Sequence, residues 1–244
     1  MAVILAISSQ VAYGRVGLSA YSFALQKLGH EVICLPTVNW LTHPKLGKPI
    51  GEVINADKLA DMGAELISLR LEEKIDYIIS GYFANAEQAH SVKWLVTQLK
   101  TKNPDIQYCC DPVMGDEPKG LYVAENVAQY IKDYLAPMAD LVTPNTFEAK
   151  YLGELRAKKI LQKSTNQNIY TENAVSISQS FTPIDVHLNG AGDLLTALFI
   201  GYQLNGLKAE KSLAKATLFL QKCAEYTAKH SSPQLPVIEL QEYL

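Results

Sequence analysis

Ala2–Ser8 is an apolar, largely β-branched run that does not alternate with polar positions, a pattern that predicts a strand buried on both faces. Leu18, Tyr21, Leu25 and Leu28 then recur at helical spacing up to Gly29, and Glu31–Leu35 predicts a second strand. A β-loop-α-β opening of this kind implies a parallel sheet with right-handed crossovers. The alternation continues along the chain. Helices are predicted near Ala56–Leu71, over Ala86–Lys100, over Leu121–Leu135, from Asn145 onward, over Leu194–Leu204 and from about Ala209 to His230. Strands are predicted over Asp76–Ser80, Ile106–Cys110 and Asp140–Thr143. Asn85 with Gln88 three residues on reads as a capping box for the third helix. The pattern predicts an α/β protein, a three-layer α/β/α sandwich on a mostly parallel sheet, with 1–244 as one domain.

Two stretches fit this alternation poorly. Thr37–Gly51 reads as a long irregular insert holding Trp40, His43, two prolines and two glycines, the kind of loop that serves as a lid or binding loop. A lone histidine there is readable as a ligand contact or as a solvated side chain. In Gly153–Ser180, Leu155–Leu161 reads as basic and helical, while Ile169–Thr171 with Val175–Ser178 predicts a small hairpin. Lys208, Lys211, Lys215 and Lys222 form one face of the last helix and read as a solvated stripe.

Composition narrows the classes further. Hydrophobic residues make up 48% and charged residues 19%, the balance of a protein with a sizeable core. A net charge of −3 offers no basic excess for nucleic acid or an anionic membrane surface. No apolar run is long enough to span a bilayer, and Ala2–Ile7 is too short for a signal h-region. Cys34, Cys109, Cys110 and Cys223 lack metal-type spacing, and a reduced cytoplasmic setting is expected.

The chemistry gathers around Asn189-Gly190-Ala191-Gly192-Asp193, a small-residue turn that opens directly into an apolar helix. Backbone N–H groups at such a start are unpaired and form an anion site. A carboxylate beside that site can take a proton from a hydroxyl. Turn and cap alone would explain the same residues structurally. Asp111-Pro112-Val113-Met114-Gly115-Asp116 follows a strand, at the rim where open α/β sheets bind ligands, so its carboxylates read either as Mg²⁺ or phosphate partners or as a surface turn. Asn145 and Glu148 have the spacing of a capping box, and that spacing equally allows Glu148 to reach a metal's water shell.

The segments AISSQVAYGRVG (6–17), TVNWLTH (37–43), SGY (80–82), CDPVMGD (110–116), TPNTFEA (143–149) and GAGDLL (190–195) together closely resemble the pyridoxal kinases of the ribokinase-like superfamily, in the family's order. The resemblance spans roughly residues 2–152 and 181–230. It implies ATP-dependent phosphorylation of the 5′-hydroxymethyl group of pyridoxal, extending to pyridoxine and pyridoxamine, with Mg²⁺ and often K⁺, by a homodimer. Carried over by motif, Asp193 is the general base, and Gly190, Ala191 and Gly192 are the anion hole. Ser9 pairs with the pyridine ring, with Val38, His43 and Tyr82 around it. Asp111, Asp116, Asn145 and Glu148 serve the Mg-nucleotide (Asp111, Asp116 and Glu148 towards the metal, through water), with Tyr122 and Thr143 nearby.

Two features depart from the family pattern. Pro44 stands where a small hydroxylated residue often follows the loop histidine. Only about 40 residues separate Glu148 from Gly190, and no strand ending in polar residues at the ATP phosphates is legible among them. A shortened 153–180 segment leads to an expectation of weak ATP binding, low turnover and exposed sheet edge beside Val142 or Val186. Two other readings compete: a vitamin B6-binding relative with little turnover, and a hydroxymethylpyrimidine or sugar kinase of the same superfamily.

Overall fold

The computed structural model describes residues 1–155 and 157–244. The strands are β1 (Val3–Tyr13), β2 (Glu31–Thr42), β3 (Gly51–Val53), β4 (Tyr77–Ser80), β5 (Gln107–Cys110), β6 (Gly115–Asp116), β7 (Gly120–Leu121), β8 (Leu141–Val142), β9 (Lys159–Lys163), β10 (Gln167–Glu172) and β11 (Val175–Ser180). The helices are α1 (Leu18–Lys27), α2 (Ala56–Ser68), α3 (Ala86–Lys102), α4 (Glu125–Tyr130), α5 (Ala136–Met138), α6 (Thr146–Leu152), α7 (Ala191–Leu204) and α8 (Ala209–His230). Nine strands form one sheet in the order β11-β10-β9-β8-β5-β4-β1-β2-β3, and β6 pairs with β7 apart from it. The run from β9 to β2 is parallel throughout. Antiparallel strands close both ends.

The absence of alternation in β1 has the expected cause. Ile4 and Ala6 point into the apolar layer shared with α1, α7 and α8, and Leu5 and Ile7 into the layer shared with α2, α3 and α4. Both faces are covered, so both sets of positions are apolar. In α7 every residue from Leu194 to Tyr202 is buried, as a helix wedged between the sheet and its neighbours requires.

Four local expectations are corrected. Thr37–Gly51 is not an irregular insert: β2 runs on to Thr42, and β3 returns beside it with Val38 opposite Val53. Pro36, which has no N–H for the ladder, lies opposite Ser8, next to a register shift between Ser8 and Ser9 that absorbs the break. Leu155–Leu161 is not helical where it is described: Arg156 lies outside the described residues, and Lys159–Lys163 is strand β9. That strand pairs with β8, Val142 opposite Ile160, so Val142 is not at an open edge. Val186 lies outside the strands. The hairpin is longer than Ile169–Ser178, with β10 and β11 joined at Asn173 and Ala174, both at positive φ (49° and 63°) as a type I′ turn demands.

Candidate active site

The carboxyl ends of the parallel strands meet along one rim, and the candidate residues stand there because the chain leaves each strand at that end. Within β1, which runs on past the predicted end at Ser8 to Tyr13, the register shift between Ser8 and Ser9 puts both to polar use. Ser8 Oγ accepts the Tyr82 N–H (3.1 Å), and a side chain at Gly81 would strike that oxygen at 2.6 Å. Ser9 lines a cavity together with Trp40, His43, Tyr82, Val113 and Asp193. Thr37 Oγ1 donates to Tyr82 O (2.8 Å) and fixes the far wall, where the Trp40 and Tyr82 ring centroids are 5.9 Å apart. Val38 is fully buried opposite Ser9 in the ladder and does not line the cavity.

His43 caps a short 3₁₀ turn at Pro44–Leu46, its Nδ1 accepting the Lys45 N–H (3.3 Å), which places Pro44 at a position where its missing N–H costs nothing. Burial first, then Lys45 and Lys119, hold its pKa below the ordinary histidine value. The ring is therefore neutral at pH 7, able to donate or accept without charge.

Asp193 sits at the cavity floor in the first turn of α7. Gly190, with φ 87°, lies so close to Arg15 O that a Cβ would approach it to 2.0 Å, so only glycine fits the turn. The Ala191 N–H is turned back to Leu188 O (3.3 Å), while those of Gly192 and Asp193 have no partner among the described residues. Asp193 Oδ2 accepts the Gly17 N–H (2.8 Å). Burial, then the charge of Asp111, pushes its carboxyl up to about 6, against the opposing pull of the Gly17 amide, Lys163 and Tyr21. A carboxylate so tuned is ionised at neutral pH and basic enough to accept a proton.

A second set of groups adjoins it. Asp111 leaves β5 almost completely buried. Its Oδ1 accepts Lys163 Nζ (2.8 Å), and its Oδ2 accepts Tyr21 OH (3.1 Å) and Thr196 Oγ1 (3.0 Å). Thr143, buried at the end of β8, lies 3.1 Å from the same threonine hydroxyl. Lys163 stands at the end of β9. Burial alone would lower its pKa, but Asp111 and then Glu148 outweigh that and raise it, so the ammonium is kept. Asn145 and Glu148 form a capping box on α6: Glu148 N–H donates to Asn145 Oδ1 (2.9 Å) and Asn145 N–H to Glu148 Oε2 (2.8 Å). Glu148 Oε1 also accepts the Met114 N–H (3.2 Å), and Asn145 Nδ2 donates to Gly115 O (2.8 Å), tying the β5–β6 loop to α6. Burial pushes Glu148 up to about 8. Asp116 and Tyr122 are exposed at the β6–β7 hairpin.

Four residues that take part were not singled out from the chain: Lys163, Thr196, Tyr21 and Gly17. Lys163 stands at the polar end of strand β9, which had not been legible, and pairs there with Asp111. A larger surface groove, lined by Arg70, Glu72 and Lys102, opens at the opposite rim, away from these groups.

An ionised carboxylate in a glycine turn with two amides unpaired among the described residues, beside a buried lysine and a cavity, is the arrangement of a phosphotransferase that acts on an alcohol. The family model described as phosphomethylpyrimidine kinase matches residues 63–169. A pyridoxal kinase of Corynebacterium diphtheriae is 32% identical over 98% of this chain and 94% of its own length. One of Rubrobacter xylanophilus is 30% identical over 99% and 93%. The crystal structure of a pyridoxal kinase from Entamoeba histolytica superposes with a TM-score of 0.90 at 22% identity, covering 99% of this chain and 94% of that one. Pyridoxal kinase from Leishmania donovani, solved with ADP and pyridoxine, superposes at 0.87 with 21% identity, covering 98% and 94%. The chain belongs to the pyridoxal kinase family.

Proposed function

We propose that this protein, working as one kinase domain over 1–244, transfers the γ-phosphoryl group of ATP to the 5′-hydroxyl of pyridoxal, and accepts pyridoxine and pyridoxamine. The observation that carries this reading is the meeting of Ser9, His43, Tyr82 and Asp193 in one cavity next to the Asp111–Lys163 pair. Asp193 takes the hydroxyl proton as the new P–O bond forms. The bond to the ADP oxygen breaks, and the free amides of Gly192 and Asp193, with Lys163, stabilise the charge on the transferring group. Relatives at least 30% identical over nearly the whole chain are pyridoxal kinases, whereas the phosphomethylpyrimidine kinase family model matches residues 63–169, which favours the vitamin over the pyrimidine. A coupled assay with Mg·ATP against pyridoxal, pyridoxine, pyridoxamine and hydroxymethylpyrimidine tests the reading. Turnover confined to the pyrimidine, or none at all, would sink it.

Mg²⁺ is expected with the nucleotide and not in a protein cage. Among the described residues no group of three or more His, Cys, Asp or Glu converges. Asp111 and Glu148 already spend both oxygens on protein donors, and Asp116 alone of the three expected residues makes no such bond among the described residues. These residues fit a hydrated ion held chiefly by phosphates. K⁺ dependence is read by comparing rates in K⁺ and Na⁺. Free, mostly buried thiols at Cys109, Cys110 and Cys223 favour a reducing, cytoplasmic setting. Among the described residues no helix is long and apolar enough to cross a membrane. Exposed Leu41, Leu46, Ile50 and Val53 at the β2–β3 end of the sheet support a homodimer through that edge. Light scattering should return twice the 26.9 kDa chain mass, and a mass that stays monomeric at micromolar concentration would remove the dimer.

Ser9→Ala should raise KM for pyridoxal roughly fivefold, a neutral hydrogen bond's worth of about 1 kcal/mol, with kcat little changed. An unchanged KM with lowered thermal stability would make Ser9 structural only.

A further inference from the structure

We propose that Arg15 is a positioning residue for phosphoryl transfer: its side chain clamps the β1–α1 loop to the segment after α8, and so holds that loop against Asp193 and Gly190. Arg15 donates from one guanidinium nitrogen to Leu235 O (2.7 Å) and to Glu239 Oε2 (2.9 Å), across more than 200 residues of chain. The anchor is firm, because Leu235, Val237 and Leu240 are buried in the same apolar layer as α7 and α8. The loop itself has few other ties. Val16 and Gly17 are held through their carbonyls by the first turn of α1, but neither Gly14 nor Arg15 makes a backbone–backbone hydrogen bond among the described residues.

What the clamp holds is the site. Arg15 O fills the space where a Gly190 side chain would be, which seats the loop directly on the anion turn. Two residues on, the Gly17 N–H is the donor that orients Asp193, and Val16 between them lines the cavity. Gly17 is equally tight against the vitamin side, since a Cβ there would meet Ser9 Oγ at 2.3 Å. A loop that touches the base, the anion turn and the ring-binding serine transmits its own looseness to all three. Among the described residues the Arg15 guanidinium bonds only Leu235 and Glu239 and touches none of the reacting groups, so its effect is on geometry. A misplacement of about 1 Å is enough to cost up to about 100-fold in rate.

The inference rests on the phosphotransfer reading, and the test keeps the two apart. Arg15→Met, Arg15→Lys and Glu239→Gln are compared with the unaltered protein in steady-state turnover of pyridoxal with Mg·ATP, alongside thermal midpoints. Arg15→Met should lower kcat roughly 10- to 100-fold with KM for pyridoxal within about threefold. Arg15→Lys should recover most of the loss, because an ammonium can still reach the carbonyl or the carboxylate. Glu239→Gln should lose severalfold and serves as the test if Arg15→Met does not fold. A kcat within twofold of the unaltered protein in both Arg15→Met and Glu239→Gln would overturn the proposal. So would losses in kcat and KM that simply follow thermal stability. Absence of turnover in the unaltered protein would instead overturn the kinase reading.

Discussion

Asp193→Asn is expected to lower kcat by about 100-fold or more while leaving pyridoxal affinity close to normal. The asparagine keeps the shape and can still accept the Gly17 N–H, so the change removes basicity and little else. The pH profile gives the same group a second signature. With the carboxyl near 6, kcat/KM of the unaltered protein should fall about tenfold per unit below pH about 6, as the base becomes protonated. Stability runs the other way. A carboxyl raised on folding favours its protonated form, so its contribution is fully present below the ordinary aspartate value of 3.8 and is lost as pH rises through about 6. At pH 7.5 the asparagine variant should therefore be at least as heat-stable as the parent, an active site residue whose loss costs rate and not structure. A variant with near-normal kcat, or one whose acid limb stays in place, would remove Asp193 from the proton transfer.

The second large effect is expected at Lys163. Its ion pair with Asp111 is nearly dry, with side-chain exposures of 12% and 1%. Lys163→Met leaves a buried carboxylate with only two hydroxyl donors, and breaking a buried pair in this way costs roughly 3–5 kcal/mol. In a chain of this size that is a fall of roughly 10 °C in the thermal midpoint. If the ammonium also faces the nucleotide phosphates, KM for ATP should rise about tenfold or more, while KM for pyridoxal holds. Adding Asp111→Asn removes the stranded charge, so the double variant should regain stability without regaining ATP affinity. Recovery of both together would mean that Lys163 acts only through the fold. An unchanged KM for ATP in the single variant would mean that it does not meet the nucleotide.

How much of this was legible in the chain varies with how local the signal is. The layered sandwich could be read because runs such as Ala2–Ser8 lack alternation, and the structure supplies the reason in two covered faces. The turn before Asp193 was legible from its glycines, whereas Ser9 and Tyr82 were singled out through the family motifs, and Ser9 stands inside β1, past the predicted end of that strand. Strand β9 could not. Lysines stand at both ends of its five residues, only Leu161 among them is deeply buried, and so short a run does not separate a period of 2 from one of 3.6. The ties around Asp111 were hidden for another reason, since its partners at 21, 163 and 196 lie 90, 52 and 85 residues away and meet it only through the sheet order. Pro36 reads as a chain breaker, and the register shift beside it is a tertiary adjustment that no local pattern announces. Glu148 carried two open meanings. The capping box accounts for its position, and both of its oxygens are taken up by backbone amides.

The common direction of the six central strands also sets where this protein can be handled. Every group argued to bind or react stands at the carboxyl rim, so the amino rim is left for attachment. The turn between α3 and β5 is there, with Thr101, Lys102, Pro104 and Asp105 exposed. A fluorophore, a surface tether or an inserted peptide at that turn would be separated from the reacting groups by the length of the strands. Immobilised through Pro104 and Asp105, the protein should turn over at its free-solution rate, whereas the same tether at Lys119 or Lys45 would crowd the mouth of the cavity.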